Sequence, residues 1–246
     1  MISSYKRGGR FTSSKIVALT TSGRGEFGFG AKALTYIKEK QIEIRMECSV
    51  DLGGGGQAGN WGIFMEDVCH KKLLKRDLGY RKSSRTTELH PDFIFSKYWS
   101  GSCDYEYFKG DELTCISEQK SYQKKAFALY TDCILKNETE LLKNEFPQEY
   151  WQIVSNAIIH NVDFGEAISF MPYESDFEMI KDLAYNYEGG DEWKYRFIYE
   201  GKMDYLPYLK DGGYYKDLNI FRFEIPEADK DFLTERIEKA IILLTR

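Results

Sequence analysis

The chain has 246 residues, of which 42% are hydrophobic and 30% charged, an ordinary balance for a soluble globular protein with material for a substantial core. With 34 Lys and Arg against 39 Asp and Glu, the net charge is −5. That counts against a protein that coats nucleic acid, and leaves room for an enzyme whose positive charge is local. No run approaches the roughly eighteen apolar residues of a membrane span, and the N-terminus MISSYKRGGRFTSSK has no apolar core of a secretory signal. Five scattered cysteines (Cys48, Cys69, Cys103, Cys115 and Cys133) lack CxxC spacing. Free thiols in a reducing cytosol are therefore expected, rather than a disulfide framework or a zinc site.

In chain order, SSKIVAL reads as a short element before the turn-rich TTSGRGEFGFG. From Ala31 the residues Ala33, Leu34, Tyr36 and Ile37 recur at helical spacing. DLGGGGQAGN reads as a flexible loop, and without a GK[ST] ending it is no phosphate-binding P-loop. A second helix is expected from near Asn60 through WGIFMEDVCHKKLLKR, with Ile63, Met65 and Val68 apolar. Residues 91 to 120 read as three extended segments, PDFIFSKYW, CDYEYFKG and ELTCISEQK, separated by SGS and KGD turns. Helical material follows over 124 to 144, and after Pro147 a helix carries EYWQIVSNAIIH. EAISFMPY and NIFRFEIP read as strands, and ADKDFLTERIEKAIILL as a C-terminal amphipathic helix. The tyrosine-rich region from Tyr185 to Lys216 reads as loop or irregular sheet. No repeat and no linker interrupts the chain, so residues 1–246 are expected to form a single α/β or α+β domain.

The chemistry concentrates in two places. In HPDFIFSK a carboxylate, Asp92, stands at the mouth of an apolar run; alone, Pro-Asp is a turn. In ISEQKS an apolar strand delivers Glu118 and then Lys120, and period-two alternation puts both on one face. Asp92 and Glu118 together can hold a hard divalent cation through oxygen ligands, with Lys120 orienting a water against a phosphodiester. Two basic clusters, KKLLKRDLGYRKSSR up to Arg85 and Lys120 with Lys124 and Lys125, read first as solvated faces. The histidines are given no chemistry: His90 reads as a turn residue, and His70 and His160 have no partner at metal-ligand spacing.

Two further segments make the pattern specific. NWGIFMED sets Glu66 on a helix, and EYWQIVSNAIIHNVDFGEAISFMPY carries Gln152 on a helix that leads into a strand. This ordered set resembles the phage lambda exonuclease-like (YqaJ-type viral recombinase) family of PD-(D/E)xK nucleases. There a WGxxxE helix, a PD-initiated strand, an ExK strand and a (Y/W)xQ-like helix follow one another in that order. The resemblance runs over about residues 12 to 175. It implies a restriction-endonuclease-like core, a central mixed β-sheet flanked by helices. It implies a Mg²⁺-dependent exonuclease, with Mn²⁺ as substitute, that digests double-stranded DNA from 5′ ends and leaves 3′ tails for recombination by strand annealing.

Carried over position by position, the resemblance implies metal ligation by Asp92, Glu118 and the backbone carbonyl of Gln119. Glu66 stands near the metals, Lys120 positions the water, and Gln152 holds the nucleophile or a phosphate. A "TSSKI" stretch similar to the family's "iTAS" makes Ser14, with Arg7 or Arg10, candidates for the DNA 5′ end, and Lys124 and Arg85 join them as basic candidates. The expected partners are duplex ends, a single-strand annealing protein and copies of the chain in a ring, a trimer in the relatives. The expected location is the cytoplasm of a bacterial host. Departures exist: Phe93 replaces the usual glycine of PDG, and EQKSY replaces EIKCP. The Asp92–Glu118 interval is long, so SGSCDYEYFKGDE reads as an inserted hairpin, with Asp111 as rival ligand to Asp92. A defence or repair endonuclease on the same core and a non-cutting binding relative remain the alternative functions.

Overall fold

A computed structural model describes residues 8–50, 56–83, 97–187 and 192–246. Seven strands occur among them: β1 (Phe11–Thr12), β2 (Tyr80–Lys82), β3 (Trp99–Ser100), β4 (Tyr105–Lys109), β5 (Glu112–Lys120), β6 (Phe164–Phe170) and β7 (Leu218–Glu224). Five of them form one mixed sheet in the order β2-β4-β5-β6-β7, while β1 and β3 pair separately as a short parallel ribbon. Only the β5–β6 pair of the large sheet is parallel. A parallel neighbour needs a crossover of a dozen residues or more. Here it is made by three helices, α4 (Lys124–Ile134), α5 (Thr139–Glu145) and α6 (Pro147–His160). Pro147 occupies the first turn of α6, where its missing N–H costs nothing, and Asn161 ends the helix in the left-handed region at φ 52°.

The other helices are α1 (Val17–Thr20), α2 (Ala31–Met46), α3 (Gln57–Arg76), α7 (Phe177–Tyr185), α8 (Arg196–Tyr199) and α9 (Glu227–Leu244). They divide between the two faces of the sheet. On one face α1, α2, α6 and α9 bury Ile37, Ile153, Ile237 and their neighbours against Ile116, Ala167, Phe221 and Phe223. On the other, α3, α7 and α8 bury Trp61, Met65, Ile180 and Ile198 against Tyr105, Ile168 and Phe170. Because both faces are covered, β5 is buried without interruption from Cys115 to Gln119, and β6 from Gly165 to Phe170. Central strands of this kind read as continuous apolar runs. The polar side chains inside them therefore need a reason to be there.

The architecture agrees with the expected mixed sheet flanked by helices, and several details differ. α3 starts at Gln57, three residues before Asn60, and the material over 124–144 forms two helices separated by a turn in which Asn137 has φ 56°. The region after Tyr185 contains short helices, and its Tyr195 and Tyr208 are buried in the second core. The hairpin read as an insertion is integral to the fold: β4 lies in the sheet between β2 and β5, and pairs with β5 from Tyr105–Ser117 to Lys109–Glu112. The five cysteines are free thiols, and among the described residues no helix is long and apolar enough to cross a membrane.

Candidate active site

Glu118 and Lys120 leave β5 on the face that α6 covers. Gly165 on β6 pairs with Ile116, and its lack of a side chain lets α6 come close: a Cβ there would lie 2.3 Å from Ile153. At that separation one turn of α6 can reach the strand. Gln152 Nε2 donates to Glu118 Oε2 at 2.6 Å, and Gln152 Oε1 accepts from Lys120 Nζ at 3.2 Å. Lys120 Nζ also lies 3.4 Å from Glu118 Oε2. Asn156, four residues after Gln152 and so on the same helix face, donates through Nδ2 to the other oxygen, Glu118 Oε1. The carboxylate is fully buried and held at both ends.

A second carboxylate faces it, from Asp104. This residue stands immediately before β4, one step beyond the Tyr105–Ser117 pair and so opposite Glu118. Its N–H bonds the Ser117 carbonyl at 3.1 Å, and its Oδ2 accepts the Gln119 N–H at 2.8 Å, so backbone and side chain are both tied to β5. Burial, and then the Asp104 charge, push the Glu118 carboxyl up to about 8, against the pull of Lys120 and Asn156. Burial alone would lower the Lys120 ammonium, but Glu118, Asp104 and Glu149 outweigh it and hold the group above its ordinary value. Lys120 is thus a fixed cation at neutral pH.

Of these groups, Asp104 and Gln152 line a cleft of about 400 Å³, whose walls also include Glu66 from α3, Ser13 and Ser14. The Tyr105 hydroxyl donates to the Glu66 carbonyl oxygen at 2.7 Å, which ties α3 to β4. The N-terminal segment is anchored at the opposite wall, where Ser13 Oγ meets Ser155 Oγ at 2.8 Å and Trp99 Nε1 donates to the same hydroxyl at 3.0 Å. Ser14 therefore reaches the cleft beside Thr12, at 3.4 Å between hydroxyls.

Of the residues singled out from the sequence, Glu66, Gln152 and Ser14 line one cleft, Glu118 and Lys120 are bonded to Gln152, and Gln119 lies between the two charged positions of β5. Asp92, Arg7, Arg85 and His90 lie outside the described residues. Arg10 precedes β1, and Lys124 is exposed at the first turn of α4; neither lines the cleft. Asp111 sits in the exposed hairpin turn beside Gly110, whose φ is 68°, at the far end of β5 from Glu118. It is a turn residue. The basic run before Arg85 is partly consumed in ion pairs: Lys72 bonds Asp176 at 2.8 Å and Asp217 at 2.5 Å, and Lys82 pairs with Asp67.

Asp104 and Asn156 escaped the sequence reading. The i,i+4 spacing from Gln152 was the available signal for Asn156. For Asp104 the signal was its place at the start of YEYFK, masked by treating that strand as an insertion. His160, to which no chemistry was assigned, has partners after all: its Nε2 lies 3.8 Å from Cys103 Sγ and 3.7 Å from Glu106 Oε1.

No protein-family model matches the sequence, and no curated protein matches it significantly. Solved structures do match in fold. The alkaline exonuclease LHK-Exo from Laribacter hongkongensis is 10% identical, with a TM-score of 0.57 over 97% of this chain and 91% of its own. LHK-Exo in complex with dAMP gives 0.63 at 11% identity, over 98% and 91%. A phage-related exonuclease from Haemophilus somnus gives 0.58 at 11% identity, over 96% and 93%. Along nearly its whole length, this chain shares the fold of these alkaline and phage-related exonucleases.

Proposed function

We propose that this chain is a metal-dependent DNA exonuclease, a phosphodiester hydrolase acting from 1–246 as one nuclease domain. The observation that carries the reading is the pair of carboxylates Glu118 and Asp104 on neighbouring strands, with Lys120 and Gln152 bonded to Glu118 and with Asp104 and Gln152 lining one cleft. Burial first, and the Asp104 charge second, raise the Glu118 carboxyl, and a cation among these oxygens would relieve both. A hard divalent cation fits that demand and that set of oxygen donors. We assign its ligation to Glu118, Asp104 and the Gln119 carbonyl, with Glu66 across the cleft, and take it to be Mg²⁺ with Mn²⁺ as substitute. Asp104 stands at a strand start beside Glu118, and Asp92, to which the family resemblance gives that role, lies outside the described residues. When bound, the cation supplies Lewis acidity at the phosphoryl oxygen and sharpens the attacking water.

The protein's own groups do the rest. Lys120, held protonated by its carboxylate neighbours, donates to the water and offsets charge that develops on the phosphate. Gln152 fixes the lysine and Glu118 relative to each other, and Asn156 prevents the carboxylate from rotating. Ser14, with Arg7 or Arg10, receives the 5′ end, and Lys124 and Arg85 track the duplex backbone.

The finer reading is digestion of duplex DNA from 5′ ends to leave 3′ single strands. These would pass to a single-strand annealing protein during phage or prophage recombination in the cytoplasm of a bacterial host. A ring-shaped homo-oligomer, a trimer by resemblance, would keep the enzyme on its substrate. The test is a linear duplex labelled separately at its 5′ and 3′ ends, with and without Mg²⁺, beside a closed circle. Mg²⁺-dependent loss of the 5′ label first, with the circle intact, is expected. Lys120→Ala should slow digestion by about 10²–10⁴-fold. Cutting of the circle would favour an endonuclease, and undiminished digestion by both Lys120→Ala and Glu118→Ala would sink the site.

A further inference from the structure

A second cluster of ligating atoms lies beside the acid pair and is made of different chemistry. Cys103 immediately precedes Asp104. Glu106 follows two residues later on β4, paired with Ile116 and so directed to the face that α6 covers. α6 ends there at His160. Its Nε2 stands 3.8 Å from Cys103 Sγ and 3.7 Å from Glu106 Oε1, and the three ligand atoms lie within 4.8 Å of one another. His160 Nδ1 is 2.8 Å from the Asn156 carbonyl oxygen. A carbonyl only accepts, so Nδ1 carries a proton, and Nε2 is the ring nitrogen turned toward the thiol and the carboxylate. Metal-binding histidines are held in this way, by a carbonyl on the nitrogen that does not bind. The Ser83 hydroxyl donates to Glu106 Oε1 at 3.3 Å and steadies the third ligand.

The distances can be compared with a real coordination sphere. In tetrahedral zinc with ordinary bond lengths, a sulfur and a nitrogen ligand stand about 3.6 Å apart, and a nitrogen and an oxygen about 3.4 Å. The observed 3.8 and 3.7 Å need a contraction of only a few tenths of an ångström. Thiolate, imidazole and carboxylate select zinc over the hard cation expected at the acid pair.

We propose that Cys103, Glu106 and His160 bind a zinc ion, with water or the Ser83 hydroxyl completing the tetrahedron. The ion would join the last residue of α6 to the start of β4. Asn156 on that helix and Asp104 just before that strand both act on Glu118, so the ion would set the spacing across which the acid pair is held. The site stands on its own ligands and does not depend on the nuclease reading.

The competing arrangement is a plain hydrogen bond from the Cys103 thiol to His160 Nε2, and cobalt separates the two. The metal-free full chain is titrated with Co²⁺ in excess Mg²⁺, which occupies the oxygen-ligand site. One equivalent should bind with a thiolate-to-cobalt charge-transfer band and the strong visible bands of tetrahedral Co²⁺, and Zn²⁺ should bleach both. Cys103→Ser should lose the charge-transfer band while Glu118→Gln keeps it. His160→Gln, with its fold checked by circular dichroism, should weaken Co²⁺ by more than the roughly 10–100-fold that loss of an outer partner costs. A wild-type protein without the band, or a band that survives in His160→Gln at unchanged affinity, would overturn the proposal.

Discussion

Replacing Glu118 by Gln keeps the size of the side chain and removes its titration. In the unfolded chain a glutamate releases its proton near 4.5, whereas in the folded protein Glu118 holds it up to about 8. Between those values the folded state binds more protons than the unfolded state, so stability falls as pH rises. The sign is that of a raised folded-state value: the stabilising contribution is complete below about pH 4.5 and is lost as pH climbs through about 8. One pKa unit corresponds to about 1.4 kcal/mol, so the slope approaches that figure per pH unit and the total reaches several kcal/mol. No discount for solvent screening applies, because the carboxylate has no exposure. Denaturant unfolding of the wild type and Glu118→Gln, in chelator at several pH values from about 5 to about 8, reads the effect. The wild type should lose stability relative to the variant as pH rises. Added Mg²⁺ should then restore the wild type at the alkaline end, by about 2.7 kcal/mol at a concentration a hundredfold above its Kd, and the variant less. Parallel pH curves for the two proteins would refute the buried, charge-crowded carboxylate and the cation demand drawn from it.

Two further outcomes follow from the register of the sheet. Asp104→Asn should slow Mg²⁺-dependent digestion as strongly as Lys120→Ala, by about 10²–10⁴-fold, while Asp111→Asn in the hairpin turn leaves the rate unchanged; equal effects would return the strand-start ligand to question. Gly101→Ala would set a Cβ 2.0 Å from Ser13 Oγ and 2.2 Å from Asn156 Oδ1. The overpacking should destabilise by about 1–3 kcal/mol. Differential scanning calorimetry would show it as a melting shift of about 2–4 °C per kcal/mol, and an unshifted Tm would contradict the tight fit.

The local elements were legible because they depend on local physics. Helical spacing marked α2 and α9, Pro147 marked the start of α6, and strand alternation set Glu118 and Lys120 on one face before any neighbour was known. The helix through Gln152 was visible for the same reason. What meets Glu118 is a different kind of fact. The sequence offered Asp92, which lies outside the described residues, and Asp111 in a turn, and it passed over Asp104.

Pairing decides such a choice. β4 lies antiparallel to β5 with Tyr105 against Ser117, and a shift of a single residue would send Asp104 to the α3 face, away from Glu118. Register is set by the packing of both sheet faces at once, and no stretch of the chain carries that information by itself. The same holds for Cys103, Glu106 and His160. Apart in the chain, they look like a buried thiol, a strand carboxylate and a helix-end histidine. They meet because the crossover returns α6 over β4 and β5, so that its last residue lies beside the start of β4. Composition, period and spacing determined which residues are helix, strand and strand-face acid. Only the tertiary pairing of strands and the closeness of α6 at Gly165 decided which of those acids, amides and imidazoles share a site.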